Sequence, residues 1–277
     1  MSRWQFLGAR FIFFGDFDGQ FEPFRDRWDM DLRGGDNDLM HQLCNGYRVE
    51  LQTYRRGTDP QLFAWFRSLY GQEDARGLAN ESRARYPAEC DPRSNPLVLC
   101  LSHKKRMRVN ARQNELLKPA DARHCVWQGE DLDGTTMQPQ SMYVWPGLEL
   151  VGCPRGSGKQ LTVQGVIYVV TAVTADSLEL RMRAEFCNGA KDESTTISLD
   201  DACSQLRMAH AQCYYTVQGR TVRDRHLVLL DTTHQHFSVR ALIVGLSRAM
   251  HGSWLHIGDE QSEALYAGER AVRQKRR

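Results

Sequence analysis

Two short motifs in the second half of the chain combine residue types suited to phosphate and nucleic-acid chemistry. The first is Gln218-Gly219 followed by Arg220-Thr221, and the second is Ser247-Arg248, about thirty residues later. A glycine permits a turn whose backbone amides face a phosphate, and a glutamine side chain can contact sugar or base edges. Either motif alone is weak evidence, but together and in this order they indicate a protein that acts on nucleic acid.

Two further motifs lie upstream. Gly15-Asp16 and Gln20 follow the apolar run 9–14, which is typical of a central parallel strand whose carboxyl end faces a ligand crevice. Arg55-Arg56 precedes a helix that we expect to begin at Asp59-Pro60, an N-cap followed by proline. Taken alone, the first motif is also compatible with an ordinary strand turn and the second with a surface arginine pair.

The elements that must position these motifs alternate between strand and helix. After the helix at Asp59-Pro60, the sequence predicts a strand at 96–101, a basic helix at 104–117, short strands between 144 and 183, a helix from Asp200-Asp201 to His210, a strand at 227–230, a helix at 239–250 and a strand at 253–257. This alternation predicts an α/β fold, and the short strands predict a small antiparallel insertion in it.

Read in order, the motifs resemble the C-terminal two-thirds of a RecD-like superfamily 1 helicase over about residues 9–257. Helicases of large DNA viruses are most similar to two segments of the chain, GDFDGQFEPF and YYTVQGRTVRD. The resemblance implies the end of one RecA-like P-loop domain followed by a second RecA-like domain with a small inserted antiparallel β-barrel. The implied units are the first-domain remnant 1–70, the connection 71–96, the start of the second domain 97–143, the barrel 144–183, the rest of the second domain 184–258 and a basic tail 259–277.

The resemblance also implies roles for single residues. In such motors ATP lies between two RecA-like domains, and groups on both detect the γ-phosphate. By this resemblance Gln20 and Arg56 detect the γ-phosphate, and Arg248 is the finger that stabilises charge on the transferring phosphoryl group. The implied nucleotide-site residues are Gly15, Asp16, Gln218, Gly219 and Ser247.

The same resemblance implies contacts with single-stranded DNA. The implied nucleic-acid-binding residues are Ser102, His103, Asn110, Arg220 and Thr221. An amphipathic basic helix explains the first three of these residues equally well. The aromatic residues of the insertion, Trp145 and Tyr168, are suited either to stacking on bases or to filling the interior of a small barrel.

Two parts of an ATP site are not found in the sequence. The nearest match to G-x-x-x-x-G-K-[ST] is 152–160, which has the wrong spacing and lies among the short strands, and Leu227 to Asp231 ends in one acid rather than an Asp-Glu pair. We therefore expect a C-terminal helicase part that is inactive as an ATPase alone. ATP and Mg²⁺ are expected only if another polypeptide carries the Walker A and B half. The alternatives are a non-catalytic module that binds single-stranded nucleic acid and a decayed gene product.

Composition fits an ordinary globular chain. Of 277 residues 41% are hydrophobic, and 36 Lys and Arg nearly balance 34 Asp and Glu, so only local basic patches such as 103–108 can attract nucleic acid. No apolar run approaches the ~20 residues that cross a bilayer. Without a leader pattern or C-x-x-C, we expect an intracellular protein whose eight cysteines are reduced and which has no metal site.

Overall fold

The computed structural model describes residues 21, 45–47, 49, 53–127, 139–154, 160–184 and 194–268. The helices of this part are α1 (Pro60–Ser68), α2 (Ala75–Arg85), α3 (His103–Leu117), α4 (Leu199–Gln205), α5 (Val239–Leu246) and α6 (Glu260–Ala267). The strands are β1 (Leu97–Cys100), β2 (Arg123–Cys125), β3 (Met142–Val144), β4 (Glu149–Gly152), β5 (Ile167–Val173), β6 (Ser177–Met182), β7 (Ser194–Ser198), β8 (Leu206–Met208), β9 (Ala211–Cys213), β10 (Leu227–Leu229) and β11 (Leu255–Ile257).

The centre of the fold is a four-stranded sheet with the order β11-β10-β1-β9, in which every pairing is parallel. In β1, Leu97 pairs with Leu227 of β10 and Val98 pairs with Ala211 of β9. All residues of β1 and β10 are buried, as expected for parallel strands covered on both faces. The sheet and its flanking helices confirm the predicted mixed α/β class.

Helix α1 begins where the sequence predicted. Asp59 is its N-cap and accepts hydrogen bonds from the backbone amides of Gln61 and Leu62, and Pro60 occupies the first turn. The buried side chains Leu62 and Phe66 lie one turn apart on the face that packs into the core. The local signals in the sequence therefore suffice to place this helix.

Helix α5 is shorter than the predicted 239–250 helix. Its last turn tightens, because the amide of Arg248 donates to Gly245 O at 3.1 Å and the amide of Ala249 donates to Leu246 O at 3.4 Å. The chain then turns away, and Met250 O accepts a hydrogen bond from the amide of Thr58 at 3.1 Å. The helix therefore ends at Leu246, and of these contacts only the one between Thr58 and Met250 joins residues far apart in sequence.

The inserted strands form a five-stranded antiparallel sheet with the order β7-β6-β5-β4-β8. Among the described residues no pairing closes this sheet into a barrel. The sheet takes β7 and β8 from residues after 183, beyond the expected 144–183 segment. The helix expected to run to His210 ends at Gln205, because Leu206–Met208 pairs with β4 and Ala211–Cys213 pairs with β1. Its N-cap is Ser198 rather than Asp200-Asp201.

Helix α6 lies in the segment 259–277, which the sequence indicated as a basic tail. It packs against α3, and its Tyr266 is only 2% exposed. The Tyr266 hydroxyl donates to the Cys90 carbonyl at 3.0 Å. Residues 269–277 lie outside the described part. The described cysteines are free thiols, and no described helix has the length and apolar character needed to span a membrane.

Candidate functional site

The Gln-Gly turn and the end of helix α5 meet in the structure. Gln218 and Gly219 follow a short 3₁₀ turn, Tyr214–Val217, which continues from the carboxyl end of β9. The Arg248 side chain reaches across to this turn, where its Nη1 donates to Arg220 O at 2.8 Å and to Val217 O at 3.4 Å. The backbone amide of Val222 donates to Arg248 O at 2.9 Å. The Gln218-Gly219 and Ser247-Arg248 motifs are therefore adjacent in the structure.

The guanidinium of Arg248 is enclosed by the protein. Its side chain is buried, with 6% of the residue exposed. Besides the two contacts with the turn, Nε donates to Val244 O at 3.0 Å and Nη2 donates to Ser247 Oγ at 2.8 Å. In this conformation Arg248 binds the end of α5 to the Gln-Gly turn.

Arg56 reaches the same place from the N-terminal part of the chain. Its Nη1 donates to Ser247 O at 2.9 Å. The neighbouring Gly57 lies so close to Met250 that a Cβ atom there would be 2.6 Å from Met250 O, so a side chain would force the two segments apart. Arg56 and Arg248 thus flank Ser247.

Tyr54 adds an unusual group beside these arginines. Its hydroxyl is buried and has no hydrogen-bond partner among the described residues, while its ring stacks on Phe63 at 4.6 Å. Burial raises the pKa of Tyr54, and the charges of Arg56 and Arg248 act in the opposite direction. A neutral phenol next to two guanidiniums is a hydrogen-bonding group that the sequence did not single out.

Three predicted residues, Gly15, Asp16 and Gln20, lie outside the described part of the chain. The residue after Gln20 is described: the Phe21 amide donates to Gln218 Oε1 at 3.2 Å, and its ring stacks on Tyr215 at 3.9 Å. The residue directly after the Gly-Asp motif therefore contacts the Gln-Gly turn. Gly219 has a φ of 82°, a conformation that favours glycine at this turn.

Ser102 and His103 lie at the start of α3, after the carboxyl end of β1. The exposed Ser102 is the N-cap, and its Oγ accepts a hydrogen bond from the Lys105 amide at 3.2 Å. His103 Nδ1 is 3.5 Å from Cys213 Sγ. Burial lowers the pKa of His103, and the charges of Arg106 and Arg207 lower it further. His103 is therefore a neutral imidazole near pH 7.

Asn110 contacts the protein itself. It is 1% exposed, its Oδ1 accepts from the Ala211 amide at 2.7 Å, and its Nδ2 donates to Ala211 O at 3.3 Å. These two bonds satisfy backbone groups at the first residue of β9, an edge strand of the parallel sheet. The side chain that the resemblance assigned to DNA thus fastens β9 to α3.

Arg220 connects the Gln-Gly turn to the antiparallel sheet. Its Nη2 donates to Gly165 O at 2.6 Å, in the turn before β5, and its Nη1 donates to Gln212 Oε1 at 3.3 Å. Thr221 is partly exposed beside it. A movement of the turn would therefore act on the inserted sheet through the hydrogen bond between Arg220 and Gly165.

The basic run 103–108 contains two buried charges that the sequence did not distinguish from its exposed ones. Lys105 forms ion pairs with Asp231, at 2.5 Å, and with Glu263 of α6. Burial opposes the charge on Lys105, but its hydrogen bonds to the two carboxylates raise its pKa. Arg106 is 3% exposed, and its Nε and Nη1 have no acceptor among the described residues. The helical spacing of Lys105 and Arg106 from Val109 and Asn110 was the available signal.

No protein-family model and no curated protein matches the chain. Solved structures of Pif1 helicases do resemble it. Bacteroides Pif1 bound to single-stranded DNA has a TM-score of 0.52 at 13% identity and covers 76% of this chain and 51% of its own. Pif1 from Bacteroides with ADP-AlF3 and single-stranded DNA has a TM-score of 0.51 at 15% identity and covers 76% and 52%.

A third Pif1 structure, from work on unwinding at forked double-stranded DNA by two coordinating Pif1 helicases, has a TM-score of 0.51 at 15% identity, covering 76% of this chain and 49% of its own. The chain thus spans about half the length of the structures it matches. At these identities the comparison concerns the fold. The parallel sheet and its helices have an arrangement similar to the RecA-like domains of Pif1 helicases.

Proposed function

We propose that this chain is the C-terminal part of an ATP-dependent, RecD-like superfamily 1 DNA helicase of the kind found in large DNA viruses, that it works inside the cell and that it binds single-stranded DNA. The observation that carries the proposal is the convergence of Arg56, the Gln218-Gly219 turn and Arg248 around the end of α5. Residues 56, 218 and 248 come from three distant parts of the sequence, and the resemblance assigns all three to the ATP site of a motor protein.

The turn is suited to coupling. Its Gln218 side chain contacts Phe21, next to Gln20, and its Arg220 contacts the inserted sheet at Gly165. Tyr215, whose ring stacks on Phe21, is still 52% exposed beside the turn and offers this exposed surface to a base. In the proposed motor, a nucleotide-dependent shift near Gln20 is passed through the turn to the surfaces that hold DNA.

The described residues do not offer a phosphate-binding cradle. The Gly152 amide, the first of the glycine-rich 152–160 segment, donates to Val166 O at 2.8 Å as part of the antiparallel sheet. Asp231 is 6% exposed and bonds to Lys105 and to the Leu101 amide, so its carboxylate is already engaged. We therefore propose that ATP and Mg²⁺ are held by a Walker A and B half that lies outside residues 1–277, and that residues 1–277 alone do not hydrolyse ATP.

The test is DNA-stimulated ATPase activity of the purified chain. We expect no turnover above background with single-stranded DNA, ATP and Mg²⁺, and binding of a labelled single-stranded oligonucleotide under the same conditions. Turnover that Arg248→Ala abolishes would refute the need for a Walker A and B half outside residues 1–277. Failure to bind the oligonucleotide at low salt would refute the helicase proposal as a whole.

A second candidate is a non-catalytic module for single-stranded nucleic acid, and the enclosure of Arg248 favours it. A finger that reaches a phosphate must first leave acceptors on Val244, Ser247 and Arg220, whereas a binding module has no need of that movement. This candidate predicts that DNA affinity survives Arg248→Ala in the folded protein and falls steeply with salt. It also predicts that no partner polypeptide restores ATPase activity.

A further inference from the structure

Three potential metal ligands meet at the edge of the parallel sheet remote from the Gln-Gly turn. The ligand atoms of Cys90, His226 and His256 all lie within 4.8 Å of one another. His226 immediately precedes β10 and His256 is the middle residue of β11, whereas Cys90 lies in the connection between α2 and β1. From this cluster we propose a Zn²⁺ site with three protein ligands that joins the connection to the two strands.

The tautomer of His256 is already the one that a metal site requires. His256 Nδ1 lies 3.1 Å from Pro87 O, and a carbonyl only accepts, so Nδ1 carries the proton. His256 Nε2 therefore presents a lone pair, and it faces His226 Nδ1 at 2.9 Å. A backbone carbonyl that fixes the tautomer of a histidine is the usual outer contact of a metal-bound imidazole.

The backbone that carries the three ligands is held in place by contacts outside the cluster. The Cys90 carbonyl accepts from the Tyr266 hydroxyl at 3.0 Å. The His226 carbonyl accepts from the Leu97 amide at 2.8 Å, and the amide of Ile257, next to His256, donates to Tyr86 O at 2.8 Å. Binding an ion therefore requires side-chain movement with little backbone ordering, which keeps the entropic cost low.

The donor set and spacing suit zinc. One thiolate sulfur and two imidazole nitrogens are ligands that Zn²⁺ prefers and that Mg²⁺ and Ca²⁺ do not. In a tetrahedral site with normal Zn–N and Zn–S bonds, nitrogen atoms lie about 3.3 Å apart and sulfur lies about 3.6 Å from nitrogen. The two rings must separate slightly and the sulfur of Cys90 must stay within reach, and water takes the fourth position.

Binding replaces the weak contacts of the Cys90 sulfur and the hydrogen bond between the two imidazole rings. Cys90 Sγ is 3.4 Å from Ser94 Oγ and 3.8 Å from Asp91 O, so no strong bond is lost when the thiol gives its proton to solvent. The hydrogen between the rings is also displaced, and His226 binds through Nδ1 with its proton moved to Nε2. The ion thus ties together chain segments from positions 90, 226 and 256.

The experiment uses the full chain, stripped of metal with a chelator and then titrated with Zn²⁺ against a chromophoric competitor. We expect one ion per chain and a higher melting temperature with Zn²⁺ than without it. Replacement by Co²⁺ should give a thiolate-to-cobalt charge-transfer band together with the visible bands of tetrahedral cobalt. Absence of stoichiometric Zn²⁺ binding, or of the charge-transfer band, would overturn the proposal.

Variants locate the ion. Cys90→Ser should remove the charge-transfer band, and both Cys90→Ser and His256→Gln should weaken Zn²⁺ binding at least about 100-fold, since even loss of an outer contact costs 10- to 100-fold. The control is His234→Gln with His236→Gln, an exposed histidine pair whose rings are 5.3 Å apart. The proposal fails if the control loses the ion or if Cys90→Ser keeps it. If a variant does not fold, the cobalt spectrum of the unaltered chain still decides.

Discussion

Replacing Arg248 with alanine should destabilise the fold whether or not the chain ever meets ATP. The side chain is 6% exposed and donates hydrogen bonds to Val244 O, Ser247 Oγ and Arg220 O at 3.0 Å or less. Its loss removes the side-chain hydrogen bonds between the end of α5 and the Gln-Gly turn, while the backbone bond from the Val222 amide to Arg248 O remains. The expected change is therefore a stability defect in addition to any effect on catalysis.

The size of the stability loss in Arg248→Ala depends on which carbonyl oxygens still accept a hydrogen bond from another donor. Val244 O still receives the Ser247 hydroxyl at 3.2 Å, and Val217 O still receives the Arg220 amide at 3.0 Å, whereas Arg220 O loses the bond from Arg248. A buried acceptor left without its donor costs about 1–3 kcal/mol, and a charge-assisted bond contributes about 1.5–3 kcal/mol. We expect a loss of about 3 kcal/mol in the free energy of unfolding, or about 6–12 °C in melting temperature for a chain of this size.

Urea denaturation followed by intrinsic fluorescence measures this loss. The matched control is Arg223→Ala, an exposed arginine in the loop after the turn, which should change stability by less than about 0.5 kcal/mol. If Arg248→Ala unfolds at the same urea concentration as the control, the guanidinium is not enclosed by these carbonyls. That result would favour an arginine that is free to act as a finger.

Three further outcomes are expected. Burial, and secondarily the charge of Arg225, lowers the pKa of His210 to about 3, so the unfolded chain binds the proton first and stability falls as the pH drops below the ordinary histidine value of 6.5. Between pH 7 and pH 5 the free energy of unfolding falls by about 2 kcal/mol for this reason, and urea titrations of His210→Gln should not show this fall. An equal fall in the unaltered protein and in His210→Gln would contradict the burial of His210. Asn110→Ala should lower the free energy of unfolding by about 2–3 kcal/mol, because it leaves backbone groups of β9 unpaired. Its affinity for the oligonucleotide, measured by fluorescence anisotropy, should be unchanged. Weaker binding by a folded variant would instead support the predicted contact of Asn110 with DNA. Gly245→Ala would place a Cβ 2.5 Å from Leu229 Cδ2, so we expect a net loss of about 1 kcal/mol despite better helix propensity, and thermal melting that shows stabilisation would disprove the clash.

The sequence predicts elements whose signals are local. The start of α1 follows from Asp59 and Pro60, because the cap bonds reach only two or three residues along the chain. Strand β6, Ser177–Met182, lies within the segment 144–183 where short strands were predicted, since alternation of apolar and polar residues is visible in a half-buried strand. In both cases the signal in the sequence lies within one short window, although β6 pairs with β5 and β7 outside that window.

Other features depend on partners that no window contains. Residues 206–208 follow a helix and were assigned to it, but they pair with β4, more than fifty residues earlier. The enclosure of Arg248 and the internal contacts of Asn110 depend on where distant carbonyls lie. A motif therefore identified the kind of side chain at each site, whereas only the folded chain shows whether that side chain faces a ligand or the protein.

The order of the parallel sheet also determines when it can form. Strand β1 is central, yet its neighbours β9 and β10 begin more than 110 residues after it ends. At a synthesis rate of roughly 5–20 residues per second, β1 must wait on the order of ten seconds on the ribosome before a neighbour emerges. The intervening antiparallel strands β4 to β6 pair with near neighbours and can form first. During synthesis the insertion is therefore expected to assemble before the domain that contains it, with the apolar β1 exposed to chaperones in the meantime.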